Sequence, residues 1–217
     1  QLYWNVDNRW KEISIQAGSA PYTYWLDAED GSVTTAERTS SGEIKGMLPP
    51  LSTRFLYITN TPIPEAQTAI LAATPKSSIE LGKWTLQLGE QVINDAQLED
   101  WRNNPQLADS CGVAVYATRF SLEKTAKKYV IDLGEVYYTA EVSINGKAVG
   151  KRIWKPFRFD ITDYVQSGEN VLEIRVKASD YNAKVRRGRE GDTTFSSIAN
   201  SGRIANGLKG PVQIFAE

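Results

Sequence analysis

Residues 129–176 decide the fold, and they read YVIDLGEVYYTAEVSINGKAVGKRIWKPFRFDITDYVQSGENVLEIRV. Apolar and polar residues alternate along much of this stretch, which predicts half-buried β-strands. The dipeptide Asn145-Gly146 separates two of the strands, and both residues tolerate the positive φ that a type I′ turn requires. We therefore predict a hairpin between Ala140–Ile144 and Lys147–Val149.

The same alternation extends to both sides of this stretch. Upstream, Trp84 alternates with Leu86 and Leu88 in GKWTLQLG, so we predict that Trp84 belongs to the core. AVYATRFSL and VLEIRVKA follow the same pattern, and GPVQIFAE closes the chain as another strand. About eight short strands separated by turns are typical of a β-sandwich or jelly roll. The sequence therefore predicts an all-β domain over residues 81–217.

Residues 1–60 carry a second, smaller region of strand pattern. In TRFLYIT, Phe55 and Tyr57 fall on one face of the predicted strand and Leu56 and Ile58 on the other. Apolar residues on both faces predict a strand that is covered on both sides. We interpret this region as a small β unit, the end of a truncated β domain.

Between these regions, residues 61–80 contain several prolines and no sustained strand pattern. We predict a connector there, with one short helix over residues 65–74. The predicted organisation is a small β unit over residues 1–60, a connector over 61–80 and a β-sandwich over 81–217.

The composition excludes several classes of partner. The chain is 41% hydrophobic and 24% charged with a formal net charge of -1, so nothing in it favours nucleic acid or an anionic membrane. It has no run of apolar residues long enough to span a bilayer. It begins at Gln1 rather than Met, from which we expect a fragment or processed chain with further sequence upstream.

Two residue types that often carry chemistry are absent or nearly so. There is no His, which removes the usual general base near neutral pH and the commonest transition-metal ligand. There is one cysteine, Cys111, and we predict a small buried residue rather than a reactive thiol. We expect no cofactor, although a structural calcium ion stays compatible with the sequence because it needs only oxygen ligands.

Motifs in the C-terminal region resemble a known type of domain. They are Leu133-Gly134, Ala140-Glu141-Val142, Asn145-Gly146-Lys147, Gly150, Trp154, Pro156, Asp160-Ile161-Thr162 and Gly168-Glu169-Asn170. Together they resemble the galactose-binding-like β-sandwich of large glycoside hydrolases. The nearest patterns are the sugar-binding domains of glycoside hydrolase family 2 and the C-terminal domain of the family 106 α-L-rhamnosidases. The resemblance covers residues 81–217, and residues 1–60 are similar to the stretch that precedes this domain in such enzymes.

The resemblance implies a noncatalytic role, because in these families the catalytic carboxylates reside in a separate (β/α)-barrel. It implies an accessory region of a glycoside hydrolase, structural or carbohydrate-contacting, with the catalytic domain of the same polypeptide as its partner. It also implies a secreted protein, extracellular or periplasmic. The alternative is a free-standing carbohydrate-binding or cell-surface module with no catalytic domain attached. The sequence upstream of Gln1 would distinguish the two.

Acidic residues do not form a convincing catalytic pair in the sequence. Asp160 and Asp163 are three residues apart in DITDYV, and we interpret Asp160 as a turn residue that bonds local backbone N–H groups. Glu141 and Glu173 fall on outward strand faces and are predicted to be solvated.

Aromatic residues are the better functional lead, since sugar rings stack on aromatic faces while their hydroxyls need hydrogen-bond partners. The candidates for contacting a sugar are Trp101, Tyr138, Trp154, Tyr181 and Asn182. Trp154 is either a sugar platform or a packing residue that caps the sandwich or contacts a catalytic barrel. Tyr137 and Tyr138 fall on opposite faces of one segment, so one of the two is predicted to be exposed.

Residues 182–200 do not fit the resemblance cleanly, and we predict an irregular loop there. Within it, the basic residues Arg186, Arg187 and Arg189 are predicted to be solvated and mobile. Binding of an acidic sugar or another anionic partner is the alternative for this loop.

Overall fold

A computed structural model describes residues 1–7, 9, 11–27, 31–48, 52–66, 78–79 and 81–216. The chain forms two compact units, Gln1–Thr74 and Pro75–Glu217. Most of the predicted connector and most of the helix predicted over residues 65–74 lie outside the described residues. The boundaries proposed for the connector therefore stay a prediction.

The described residues of the first unit form six short strands. They are β1 (Leu2–Trp4), β2 (Lys11–Gln16), β3 (Tyr22–Leu26), β4 (Val33–Thr35), β5 (Glu43–Leu48) and β6 (Thr53–Thr59). Four of them form an antiparallel sheet in the order β1-β6-β3-β4, and β2 pairs with β5. A small core that includes Trp25, Ile44 and Leu56 holds this unit together.

Strand β6 is covered on one face only. Leu56 is buried and Ile58 packs against the core, whereas Phe55 and Tyr57 are exposed. The expectation of a strand covered on both sides is therefore wrong for Phe55 and Tyr57. Tyr24, which pairs with Tyr57 on the neighbouring strand, is buried, and its phenol accepts a 2.9 Å hydrogen bond from the Ile63 N–H.

The described residues of the second unit form twelve strands. They are β7 (Ser78–Ile79), β8 (Trp84–Leu88), β9 (Gln91–Ala96), β10 (Gly112–Leu122), β11 (Tyr129–Asp132), β12 (Glu135–Tyr137), β13 (Thr139–Ile144), β14 (Lys147–Arg152), β15 (Arg158–Asp160), β16 (Gly168–Ala178), β17 (Gly207–Gly210) and β18 (Gln213–Ala216). The helices are α1 (Tyr181–Arg189) and two 3-10 segments, Trp101–Asn103 and Thr193–Ile198.

The strands of this unit form antiparallel sheets around one core. The larger sheet has the order β14-β13-β16-β10-β8-β9, the smaller has the order β15-β11-β18-β7, and β12 pairs with β17. Buried residues from the six-stranded and the four-stranded sheet form one cluster, for example Ile174 of β16 and Ile131 of β11. Each such side chain contributes roughly 1.5–3 kcal/mol by leaving water. The predicted all-β sandwich is confirmed, and Trp84 lies in its core.

Two predicted turns have the expected local chemistry. Asn145 and Gly146 have φ values of 52° and 76°, as a type I′ turn requires. Asp160 accepts a 3.0 Å hydrogen bond from the Thr162 N–H, and the Thr162 hydroxyl accepts one of 2.9 Å from the Tyr129 N–H. The interpretation of Asp160 as a turn residue is therefore confirmed.

The irregular loop predicted over residues 182–200 is wrong, because α1 and the second 3-10 segment occupy it. Val185 anchors α1 through a fully buried side chain. Gly188 allows the backbone to pass close by, since a Cβ at this position would overlap the Phe195 carbonyl group. Neither of these contacts produces a strand-like or strongly amphipathic pattern in the sequence. Of the helices in the described part of the chain, none has the length and apolar character needed to cross a bilayer.

Candidate functional site

The structure separates the five predicted sugar-contacting residues into accessible and buried ones. Trp154 is 56% exposed and Tyr138 is 43% exposed. Tyr181 is half-buried at the start of α1. Trp101 and Asn182 are buried, with exposures of 1% and 0%.

The prediction that Trp101 contacts a sugar is wrong. Its indole N–H donates a 2.6 Å hydrogen bond to the Tyr116 hydroxyl inside the sandwich core. The ring lies against Gly207, which has a φ of 89° and where an added Cβ would overlap the indole. Trp101 is therefore a packing residue with a satisfied polar atom, and no ring face is open to a ligand.

The prediction for Asn182 is wrong for a similar reason. Its amide nitrogen donates to the Ile204 carbonyl at 2.8 Å, and its amide oxygen accepts from the Ile204 N–H at 2.9 Å. This pair of bonds fixes the first turn of α1 to the chain that precedes β17. The buried amide has no exposed surface with which to bind a sugar hydroxyl.

Around Tyr138, strands β12 and β17 assemble a polar network. The Tyr137 hydroxyl donates to Glu135 Oε2 at 2.8 Å, and Lys209 Nζ donates to the same oxygen at 2.9 Å. The Tyr137 and Tyr138 rings meet edge to face, with their centroids 6.0 Å apart. The expectation that one tyrosine of this pair is exposed is confirmed by Tyr138.

Two cationic side chains flank these tyrosines. Lys155 Nζ lies 6.0 Å from the centroid of the Tyr137 ring, a cation–π distance. Arg102 donates from Nε and Nη2 to Asp100 Oδ2, at 2.9 and 2.6 Å. We define the tyrosine surface as Arg102, Glu135, Tyr137, Tyr138 and Lys155.

The electrostatics of the tyrosine surface fix its protonation at neutral pH. Burial, and then the hydrogen bond to Glu135, raise the pKa of Tyr137 to about 12, so its phenol stays protonated. Hydrogen bonds from Lys209 and Tyr137 lower the pKa of Glu135. Burial alone would raise the pKa of Asp100, but hydrogen bonds led by those from Arg102 hold it below its ordinary value. Both carboxylates are therefore charged and already bonded.

Trp154 lies between β14 and β15 and does not seal the core of the sandwich. Its neighbour Ile153 is also exposed, whereas Phe157, three residues on, is buried in the core. The packing alternative in which Trp154 caps the sandwich is therefore wrong. Contact with a sugar and contact with another domain both stay predictions for this ring.

With this geometry in place, the chain can be compared with known proteins. Residues 81–206 match the family described as "Glycosyl hydrolase 2 galactose-binding domain-like". The chain belongs to this family. The predicted resemblance to an accessory domain of glycoside hydrolases is thereby confirmed, and residues 81–206 are called the galactose-binding-like domain below.

The similar proteins are much longer than this chain. A protein of Formosa agariphila named "Putative beta-glucuronidase" is 33% identical over 116 residues, which cover 48% of this chain and 10% of the relative. The structure of a rhamnosidase from Novosphingobium sp. PP1Y has a TM-score of 0.76 at 24% identity. That match covers 100% of this chain and 22% of the rhamnosidase. The rhamnosidase therefore contains the same fold as a minor part of its length.

The carboxylates of the galactose-binding-like domain are mostly neutralised or solvated. Glu141 lies on an outward face and pairs with Lys151 at 2.9 Å. Among the carboxyl groups of the described residues, that of Asp132 has a raised pKa, because partial burial removes water from its charged form. It accepts a hydrogen bond from the Gly134 N–H and lies 3.5 Å from Arg158 Nε.

The basic residues of α1 are used within the protein. Arg186 pairs with Glu190 at 3.8 Å, and Arg187 Nη2 lies 2.6 Å from Asp192 Oδ2. Arg189 donates to the carbonyls of Ala199 and Ser201, at 2.8 Å each. The three side chains are exposed, as predicted, but they belong to a helix rather than to a loop. Their contacts occupy much of the charge that an anionic partner would need.

Cys111 differs from its prediction, because it is exposed rather than buried. It lies in the segment that leads into β10, at a shallow depression that Arg186 also lines. Within the described ranges, no three or more carboxylate or thiol side chains are grouped in a way that could hold a metal ion.

Some residues of the tyrosine surface were missed in the sequence. Arg102 and Lys155 each follow a tryptophan that was itself predicted to contact a sugar, and Glu135 begins a strand of only three residues. Glu135 and Lys209, 74 residues apart, meet because β12 pairs with β17. Arg102 comes from the 3-10 segment Trp101–Asn103 and Lys155 from the loop between β14 and β15. No local pattern in the sequence reports that pairing.

Proposed function

We propose that this chain is a noncatalytic accessory region of a longer glycoside hydrolase and that it contacts carbohydrate through the tyrosine surface and Trp154. The observation that carries the proposal is the combination of exposed aromatic rings with carboxylates already engaged by neighbouring cations. Its partner in this role is the catalytic domain of the same polypeptide. The proposed location is extracellular or periplasmic.

The carboxylates support a noncatalytic role. Glycoside hydrolysis needs two carboxyl groups across the sugar, one of them an acid with a raised pKa. The pKa values of Asp100 and Glu135 at the tyrosine surface are lowered rather than raised. The raised pKa of Asp132 belongs to a half-buried side chain that accepts a hydrogen bond from the Gly134 N–H and lies beside Arg158.

The extent of the matches supports an accessory role. The solved rhamnosidase contains this fold in about a fifth of its length, and the Formosa agariphila protein is similar over about a tenth of its length. Both have ample further chain for a catalytic domain. A (β/α)-barrel of ordinary size needs about 250 residues, more than this whole chain contains.

The test of the noncatalytic role is an assay of the purified chain against aryl glycosides, including rhamnosides and glucuronides. We expect no turnover. Hydrolysis that survives repurification and disappears in Asp132→Asn would overturn the proposal. The coding sequence upstream of Gln1 tests the attachment to a hydrolase. Strand–helix alternation of barrel length is expected there, and its absence would favour the free-standing carbohydrate-binding module.

A further inference from the structure

The tyrosine surface has an unequal supply of free donors and acceptors. Arg102 uses Nε and Nη2 on Asp100, and its Nη1 has no hydrogen-bond partner among the described residues. The ammonium group of Lys155 contacts the Tyr137 ring and acts on Glu135 through its charge, but no carboxylate of a described residue lies within ion-pair distance of it. The cationic donors are therefore partly free.

The carboxylates at the same surface already accept hydrogen bonds. Asp100 Oδ2 accepts two hydrogen bonds from Arg102, and Glu135 Oε2 accepts from both Tyr137 and Lys209. A neutral sugar presents hydroxyls that both donate and accept, so it would lack partners for many of its donors here. A ligand rich in acceptors matches this surface better.

We propose that the tyrosine surface binds a saccharide residue that carries a carboxylate, with the sugar ring against Tyr138 and the acid group within reach of Arg102 or Lys155. This inference rests on the carbohydrate contact proposed above and specifies its chemical class. An exposed aromatic ring accepts the apolar face of a sugar. Guanidinium and ammonium groups form charge-assisted hydrogen bonds to a carboxylate, about twice as strong as neutral ones.

The distances around Tyr137 place one cation beside the proposed sugar position. Lys155 Nζ is 6.0 Å from the Tyr137 centroid, and the charge of Arg102 also acts on Tyr137. The Tyr138 ring adjoins Tyr137 at 6.0 Å. A monosaccharide unit that covers Tyr138 would thus extend towards Tyr137 and the Lys155 ammonium group beside it.

The test uses the purified chain and two matched probes, trigalacturonic acid and its methyl ester, measured by isothermal titration calorimetry. We expect the acid to bind about tenfold more tightly than the ester at low salt, the size of one charge-assisted hydrogen bond. Its affinity should fall as the salt concentration rises, whereas that of the ester should not. Equal affinities for the two probes would overturn the inference.

Variants separate the roles of charge and ring. Lys155→Gln should weaken the acid several-fold and leave the ester unchanged, and Tyr138→Ala should weaken both. Lys147→Gln is the matched control, since this exposed lysine lies at the opposite end of β14. A Lys155→Gln variant that binds the acid as the parent chain does would overturn the inference. Melting temperatures of the variants confirm that each is folded.

The same titrations distinguish this inference from the proposed function. If the ester or a neutral glycan binds through Tyr138 and the acid gains nothing, only the preference for an acidic sugar fails. If neither probe binds and a neutral glycan array is also blank, the proposed carbohydrate contact fails with it.

Discussion

The phenol of Tyr137 and the ammonium group of Lys209 donate to one and the same oxygen of Glu135, at 2.8 and 2.9 Å. The relationship joins β12 to β17, which supply few other polar side-chain contacts to each other among the described residues. These two hydrogen bonds fix Glu135 and Tyr137 of the tyrosine surface to β17 through Lys209. The protonation states of Glu135 and Tyr137 should therefore be visible in the stability of the chain.

Replacing Glu135 by Gln should lower the free energy of unfolding at pH 7 by about 1 kcal/mol, the net worth of a hydrogen bond at a partly exposed site. Hydrogen bonds from Lys209 and Tyr137 lower the pKa of Glu135 from its ordinary 4.5. Its contribution is therefore full above pH 4.5 and is lost as the pH falls through the lowered pKa. Urea unfolding over a series of acid pH values measures this. A stability difference that stays constant with pH would contradict the assignment.

Tyr137 should act at the alkaline end of the pH range. Burial and the bond to Glu135 raise its pKa from 10.0 to about 12, so the folded chain favours the neutral phenol. This contribution is full below pH 10 and is lost as the pH rises through about 12. Tyr137→Phe should therefore show a smaller alkaline loss of stability than the parent chain.

The control for this experiment is Tyr138→Phe, because no hydrogen bond joins the Tyr138 phenol to a described residue. Thermal unfolding, followed by circular dichroism between pH 9 and pH 12, would measure the effect. This range includes the ordinary pKa of tyrosine, 10.0, and the raised pKa of Tyr137, about 12. Identical alkaline behaviour of the two variants would remove Tyr137 from this role.

Truncation of two tryptophans should change the free energy of unfolding by very different amounts. Trp101→Ala should cost about 3–5 kcal/mol of stability, because it opens a cavity and removes one of the two donors to the Tyr116 hydroxyl, leaving only the Leu208 N–H. Trp154→Ala should change stability by less than about 0.5 kcal/mol, because the ring is largely exposed. In a sugar-binding assay, Trp154→Ala should weaken binding by about 1 kcal/mol through lost stacking. Urea denaturation compares the two, and a large loss in Trp154→Ala would show that this ring packs against the protein.

The strands and turns could be predicted because their causes are local. Asn145 and Gly146 both tolerate the positive φ of the turn, and Asp160 reaches a backbone N–H only two residues away. The alternation along β16 reports directly which side chains enter the core. Such features need only neighbouring residues to specify them.

The buried candidates could not be distinguished from exposed ones because their partners are distant in the chain. Trp101 follows two acidic residues and precedes two asparagines, a typical loop composition, yet Tyr116 and Gly207 enclose it. Asn182 is fixed by both backbone groups of Ile204. The tyrosine surface was only partly predicted for the same reason, since its charged members come from a 3-10 segment, a strand and a loop that are distant in the chain.

Because α1 lies close to the following 3-10 segment, a Gly→Ala substitution in this helix should lower stability rather than raise it. In a freely exposed helix, Gly→Ala stabilises by about 1 kcal/mol, because glycine loses more backbone entropy on folding. At Gly188 the added Cβ would overlap the Phe195 carbonyl, a backbone group that cannot move without its segment. We therefore expect Gly188→Ala to destabilise the chain by about 1–3 kcal/mol, the usual cost of overpacking.

The same variant should also make residues 181–198 the first site of limited proteolysis, since loss of this contact releases α1 from Thr193–Ile198. Gly202→Ala is the matched control, because a Cβ there meets no atom within 4 Å. Urea unfolding of the two variants measures the contrast. An increase in stability for Gly188→Ala would show that α1 and the 3-10 segment do not approach each other as closely as the structure places them.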